Sequence, residues 1–297
     1  THFPDPRMSP QPRHVPVLAA ELLKLADPQP GQAWIDCTVG GGGHSVLFAE
    51  RLGTTGRLIG LDQDPAMLAL ARPRLEEMPA TLVHANFDQL PSVLRNMGIE
   101  AVDGVIADLG FASDQVDERQ RGLSFRDDGP LDMRLDRSTG TTAADLVNAL
   151  SGAALADLFF ELGEERHSRR VARRIVERRG EKPFATTAEL AEVVRRCVPR
   201  SGAIDPATRV FQALRIAVND ELGALDRLLA ALPRIVKPGG AAAIISFHSL
   251  EDRRVKQAFR TANVWQALTK KPVEADDAEV NRNPRARSAK LRVARRV

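Results

Sequence analysis

The chain has 297 residues, 43% of them hydrophobic, enough for one large core or two moderate ones. Its two cysteines, Cys37 and Cys197, are isolated, which excludes a disulfide framework or a cysteine metal site and suits a reducing cytoplasm. Net charge is only +3, so the placement of charge matters more than its sum, and with no tyrosine any nucleobase stacking falls to Phe, Trp, His or Arg. No apolar run reaches membrane-spanning length. The Pro-rich start lacks a signal-peptide core, and residues 1–13 are expected to form a disordered leader.

Strand and helix signals alternate from about Val15 to Gly110, the mark of a parallel sheet with crossover helices. Ala33-Trp34-Ile35 reads as a strand that runs into Asp36-Cys-Thr-Val-Gly-Gly-Gly-Gly-His-Ser45 and then an amphipathic helix with Val46, Leu47, Ala49 and Leu52. Arg57 to Asp62 reads as a second strand ending in an acid, Ala80 to Asp88 as a third ending in polar and aromatic residues, and Val102 to Gly110 as a fourth with Asp108 at its carboxyl end. Residues 111–204 begin as a polar loop and continue as helices: Ala143 to Leu150, Ala153 to Leu162, Glu164 to Arg179, and Thr187 to Cys197 with Thr186 or Thr187 as N-cap. One long helix, Ala207 to Ile235, then leads to strands at Gly239 to His248 and Lys290 to Ala294. The expected fold is α/β, a Rossmann-like sheet over 14–110 and 205–297 interrupted by a helical insertion, 111–204.

Four glycines between a strand and a helix let backbone approach a ligand with no Cβ in the way. An acid follows at the roughly 20-residue separation expected of a carboxylate that grips ribose. The dinucleotide fingerprint fails in either frame, because the third glycine position falls on Ser45 or Val46. Gly42, Asp62, Phe87 and Asp108 should converge beyond the carboxyl ends of the strands. Acids and an aromatic without a phosphate-binding cation suit a ligand that has ribose, adenine and a positive centre, as S-adenosylmethionine does. A flexible glycine loop with no ligand is the plain alternative.

Arg166, Arg169, Arg170, Arg173, Arg174 and Arg178 cover much of one predicted helix, a face that is as readily a solvated one. From Arg282 through Arg285, Arg287, Lys290, Arg292, Arg295 and Arg296 no acid intervenes, a pattern that attracts a polyanion unless it is an idle basic tail. Arg209, Gln212 and Asn219 share one helix face, read as lining an RNA or cofactor crevice, although a buried structural network would show the same spacing. His248 beside Glu251 and Asp252 reads as a helix start capped by Ser249, and no metal site is expected.

Several stretches together resemble a known family. They include His14-Val-Pro-Val-Leu18, Asp36 to Ser45, Asp62-Gln-Asp-Pro65, Asp108-Leu-Gly110 with Ser113 and Gln115, Arg121 to Phe125 and Gly129 to Arg134, and further on Pro206 to Arg215, Ile245 to Arg253 and Asn283 to Ser288. The chain is similar to bacterial 16S ribosomal RNA cytidine-N4 methyltransferases of the RsmH (MraW) family from His14 almost to its end. The resemblance implies a class I methyltransferase domain with an inserted substrate-recognition domain, and S-adenosylmethionine held by Gly42, Gly43, His44, Asp62, Phe87, Asp108 and Gln115. It also implies, as substrate, a decoding-region cytidine of 16S rRNA within the small ribosomal subunit. No membrane partner is expected, and a homodimer is left open. Phe111, Ala112 and Asp205 depart from the residues usual in the family, which touches the target pocket rather than the reaction.

The N4 lone pair of cytosine is delocalised, so an acceptor must hold the amine protons. Asp108-Leu-Gly-Phe111 sets an acid and an aromatic at the offsets amine methyltransferases use, without their prolines. Asp108 is therefore a catalytic candidate, with a cofactor contact as its competing role, and Asp132 is a second candidate acid. Arg134, Arg209, Gln212, Asn219, Arg285 and Arg287 are expected to face RNA. Phe125 would stack on or wedge out the flipped base, or else plug the insertion's core. A nicotinamide dehydrogenase, a non-catalytic RNA-binding protein, and a methyltransferase for protein or small molecules are the alternatives.

Overall fold

The computed structural model describes residues 16–112, 115, 116, 118–200 and 205–297, so the expected leader lies outside the described residues. The chain divides into two compact units, one drawn from 1–114 with 231–297 and one from 115–230.

The first unit is a seven-stranded sheet in the order β3-β2-β1-β4-β5-β7-β6. Its strands are β1 (Ala33–Asp36), β2 (Arg57–Asp62), β3 (Ala80–His84), β4 (Val102–Asp108), β5 (Val236–Ser246), β6 (Trp265–Ala267) and β7 (Lys290–Arg296). The first five pair in parallel, while β7 runs antiparallel to both β5 and β6. Helices α1 (Ala19–Ala26), α2 (Gly43–Leu52), α3 (Pro65–Leu75) and α4 (Leu90–Asn96) lie along its first half. Strand β4 is buried almost throughout, as a central parallel strand covered on both faces must be. Trp34 of β1 pairs in register with Gly104 of β4, and its indole occupies the space a Cβ on Gly104 would need. The same ring packs on Phe48 of α2 at 5.1 Å, so one aromatic ties strand, neighbouring strand and helix together.

Chain order reverses between β1 and β4: β2 and β3 extend to one side of β1 and β4 lies on the other. The loops after β1 and β4 therefore flank the switch point, where open α/β sheets bind ligands.

The second unit holds α5 (Ala143–Ala149), α6 (Gly152–Gly163), α7 (Ser168–Arg179), α8 (Thr187–Cys197) and α9 (Ala207–Asn219), followed by α10 (Glu221–Ile235), whose last turn belongs to the first unit. Leu155, Phe159, Val171, Ile175, Leu190, Val194, Val210, Phe211 and Leu214 form its core. Thr186 is the N-cap of α8, with Glu189 completing a capping box. The expected insertion stopped at 204, whereas the compact unit continues to Ala230 because α9 packs within its core.

Three expectations need correction. The long helix expected from Ala207 to Ile235 is broken at Asp220, which adopts a left-handed conformation (φ 48°) right after Asn219 has turned its side chain to backbone outside the helix. The third strand ends at His84, and the chain re-forms as a short 3-10 turn, Phe87–Gln89, capped by Asn86. Helix α11 (Ser249–Ala258) is capped by His248 rather than Ser249; Glu251 reaches back 2.8 Å to the Phe247 amide, and His248 Nε2 lies 3.1 Å from Glu251. The short β6 and α12 (Asp277–Arg282) add two elements that sequence periodicity did not reveal.

Candidate active site

In the first unit, β1 delivers Asp36 to the mouth of the glycine turn. Asp36 is buried and accepts from the Ser45 hydroxyl at 2.6 Å and the Thr38 amide at 3.0 Å, and burial pushes its carboxyl above the ordinary range. Thr38 in turn accepts from the Asp108 amide at 2.7 Å, which stitches the ends of β1 and β4 together. These contacts hold the turn open. Gly42, at φ 81°, reverses the chain into α2, and a Cβ there would meet Ala71 at 3.3 Å. A Cβ on Gly41 would meet nothing within 4 Å, so the turn leaves free space beside its backbone. The guanidinium of Arg74 donates to the Gly41 carbonyl. Both it and Arg285 are cations near the crevice, contrary to the expectation of a site without them, but both hydrogen-bond to backbone carbonyls.

Asp62, at the end of β2, accepts from the amides of Gly40 at 2.8 Å and Asp64 at 2.9 Å, and burial pushes its carboxyl up to about 6. Phe87 stands half-buried just beyond β3, whose end pairs with Asp62 through His84. Asp108 ends β4. Burial, offset in part by His44, pushes its carboxyl up to about 6, and its buried Oδ1 has no hydrogen-bond partner among the described residues. His44, buried in the first turn of α2, lies 3.7 Å from the Asp108 carboxylate and 2.9 Å from the Val17 carbonyl. Gly42, Gly43, His44, Asp62 and Asp108 thus come together around one turn, with Phe87 following the neighbouring strand. Strands β1, β2 and β4 end in carboxylates, Phe87 follows β3, one buried carboxylate oxygen is unsatisfied among the described residues, and a Cβ on Gly41 would meet open space. That set fits a cationic adenosyl ligand such as S-adenosylmethionine. Asp36, Thr38, Gly41 and Ser45 were not singled out from sequence, although all four lie inside the Asp36–Ser45 run.

Arg285 donates to the carbonyls of Phe111 at 3.0 Å and Ala112 at 3.4 Å and lies over the Phe111 ring at 5.6 Å, so it braces the loop after β4. Arg292, expected in an unbalanced basic run, is buried and forms a bidentate pair with Asp252 at 2.7 and 3.1 Å. Arg295 and Arg296 donate to the carbonyls of Gly239 and Pro233, while Arg287 is exposed.

The remaining expected residues belong to the second unit. Gln115 is buried there. Asp132 is also buried; its burial is outweighed by Arg134, which contacts both carboxylate oxygens at 2.8 and 3.0 Å, and by Arg137, so its carboxyl titrates below the ordinary range. This is the internal Asp–Arg pair of a turn. Asn219 donates to Met133 and Arg215 carbonyls at 2.9 Å and accepts from the Leu135 amide at 2.9 Å. Gln212 and Arg209 reach the carbonyls of Leu162 and Glu164. The polar face of α9 therefore ties backbone together, which is the structural alternative left open by its spacing. Phe125 packs on Phe211 at 4.7 Å, with Arg195 over its ring at 5.5 Å, against the unit's core.

The profile of the MraW methylase family matches residues 11–297. The ribosomal RNA small subunit methyltransferase H of Sorangium cellulosum is 51% identical, covering 100% of this chain and 95% of that protein. Its namesakes in Synechococcus sp. and Magnetococcus marinus are 52% and 47% identical, over 95% and 96% of this chain and 93% and 99% of theirs.

Proposed function

The chain belongs to the MraW methylase family, and from that premise we propose that it methylates the exocyclic N4 of a cytidine in the decoding region of 16S rRNA, using S-adenosylmethionine. When bound, that cofactor supplies a methyl group on a sulfonium, open to in-line displacement. The acids at the strand ends suit its ribose and its charge, since a site of opposite sign would repel a cation. Asp62 would accept from the ribose hydroxyls, Phe87 would flank the adenine, and the backbone of Gly41, Gly42 and Gly43 would floor the site.

Asp108 carries the chemistry of the nucleophile. Its unpartnered, buried Oδ1 is the single observation that carries this reading, because a buried acceptor without a donor costs stability unless a ligand supplies one. An N4 amine would supply it: the carboxylate accepts an N–H, fixes the amine plane and lets nitrogen pyramidalise toward the methyl group. Alignment of this kind is worth on the order of 7–11 kcal/mol of barrier. Asp132 holds Arg134 in place, and with both oxygens occupied it takes no proton. None of the described helices is long and apolar enough to cross a membrane, and a ribosomal substrate puts the work in the cytoplasm.

The test is nucleoside mass spectrometry of small-subunit RNA from cells lacking the protein. N4-methylated cytidine should fall at one position and return with the wild-type chain but not with Asp108→Asn. An unchanged nucleoside profile would reject the reading.

A further inference from the structure

Helix α7 buries Ser168, Val171, Ala172 and Ile175. At 3.6 residues per turn, Arg169, Arg170, Arg173, Arg174 and Glu177 then share one outward arc of roughly 140°. Arg174 pairs with Glu177 at 3.1 Å. Arg169, Arg170 and Arg173 are exposed, as is Arg166 just before the helix, and none of the four has a carboxylate partner among the described residues. Burial and Glu177 raise the Cys197 thiol at the end of α8, while Arg170, Arg173 and Arg174 all pull it down, so these three cations share one neighbourhood.

The rest of the unit treats its arginines differently. Arg134 is tied to Asp132, Arg195 to Asp205 at 2.9 Å and Arg215 to Glu221 at 2.7 Å, while Arg178 and Arg179 donate to backbone carbonyls. Like charges four residues apart weaken a helix on their own. A cluster left uncompensated in a unit that pairs most of its other arginines is set up for an external anion.

We propose that this arc of α7 is a docking surface for consecutive phosphates of the substrate RNA, an inference that rests on the RNA reading above. Arg169 and Arg173 are about 6 Å apart along the helix axis, a step that matches neighbouring phosphates on one strand. Planar guanidinium forks engage phosphate oxygens two at a time. A protein partner would need an apolar anchor at the centre of the patch, and the arc offers only arginines and Glu177.

The test is the triple variant Arg169→Gln/Arg170→Gln/Arg173→Gln, compared with its Lys counterpart, in equilibrium binding to a small-subunit rRNA fragment over a salt titration. Loss of three phosphate contacts should make the log–log salt slope shallower by about 2 and weaken binding roughly tenfold at ~0.15 M salt. KM for RNA should rise with kcat and cofactor affinity held, and the Lys triple should keep most of the slope. An unchanged slope and affinity would overturn the proposal. So would a loss of binding confined to the assembled subunit, which would make the partner a protein. If the wild-type chain neither binds nor methylates RNA, it is the substrate reading that fails.

Discussion

His44 and Asp108 face each other across the end of β4, Nδ1 to carboxylate at 3.7 Å, while Nε2 of the same ring lies 2.9 Å from the Val17 carbonyl. A carbonyl only accepts, so Nε2 carries the hydrogen. Nδ1 is thereby turned toward a carboxylate that is already short of donors. At 3.7 Å the pair is too far apart for a hydrogen bond, so Asp108 relies on a ligand for partners.

The two raised carboxyls give ligand binding and stability opposite pH dependences. Burial lifts Asp62 and Asp108 to about 6, so the folded protein takes up protons between the ordinary carboxylate value of about 4 and that point. Their contribution to stability is complete below the unfolded value and is lost as pH rises through 6. The ligand-free protein should gain stability from these groups on going from about pH 7 to about pH 5. A cationic ligand held through its ribose needs Asp62 charged, so its affinity should fall over the same window. Calorimetric titration with S-adenosylmethionine at several pH values reads this directly, and Asp62→Asn should flatten the profile.

Gly41 and Gly42 should separate ligand space from backbone strain. Gly42→Ala forces a side chain into φ 81° and against Ala71, so it should cost about 1–2 kcal/mol of stability. Gly41→Ala meets nothing in the protein and should melt like the wild type, yet it should weaken the cofactor at least tenfold because its methyl fills the cleft. Thermal melts and calorimetry on both variants check the split; equal cofactor affinity in Gly41→Ala would remove the glycine floor from the site.

Asp108→Asn keeps the shape and removes the charge. Turnover should drop on the order of 10²-fold or more, the scale of a lost proton-handling group, with cofactor affinity changed only a few-fold. Single-turnover kinetics beside a binding isotherm distinguish this from a cofactor contact, for which affinity would collapse first.

Asn219→Ala removes three hydrogen bonds at once and leaves the Leu135 amide and Met133 carbonyl without their partner. The expected cost is about 2–4 kcal/mol, read as a lower urea midpoint. Gln212→Ala, which gives up one long contact at 3.4 Å, should cost well under half of that.

Much of the sheet was legible because β1, β2, β4 and β5 are short apolar runs that end in polar or glycine residues, and parallel strands buried on both faces demand such runs. Asp62 and Asp108 followed from the rule that ligands gather at those ends. Asp36 did not stand out, since its partner Ser45 is reached only once the glycine turn brings α2 back over β1. Within the basic C-terminal stretch, Arg292 differs from expectation for a similar reason. No acid is near Arg292 in the chain, but the fold supplies Asp252 from α11. For Asn219 the spacing located the right face, while its partners are backbone groups of a distant loop, which no side-chain pattern announces. The three-residue β6 is too short to carry any periodicity.

The sheet's interleaving of distant strands has a consequence for biosynthesis. Strand β4 must wait for its neighbour β5 until the whole of the second unit has been translated, and β5 itself is completed only when β7 slots in against it. The second unit is one continuous stretch and is free to mature while it emerges. The nascent first half meanwhile displays an open, apolar β4 rim, the kind of edge that recruits stray strands. Ribosome pausing between α10 and β7 would lengthen that vulnerable interval, so misassembly in the cell should track the speed of decoding there.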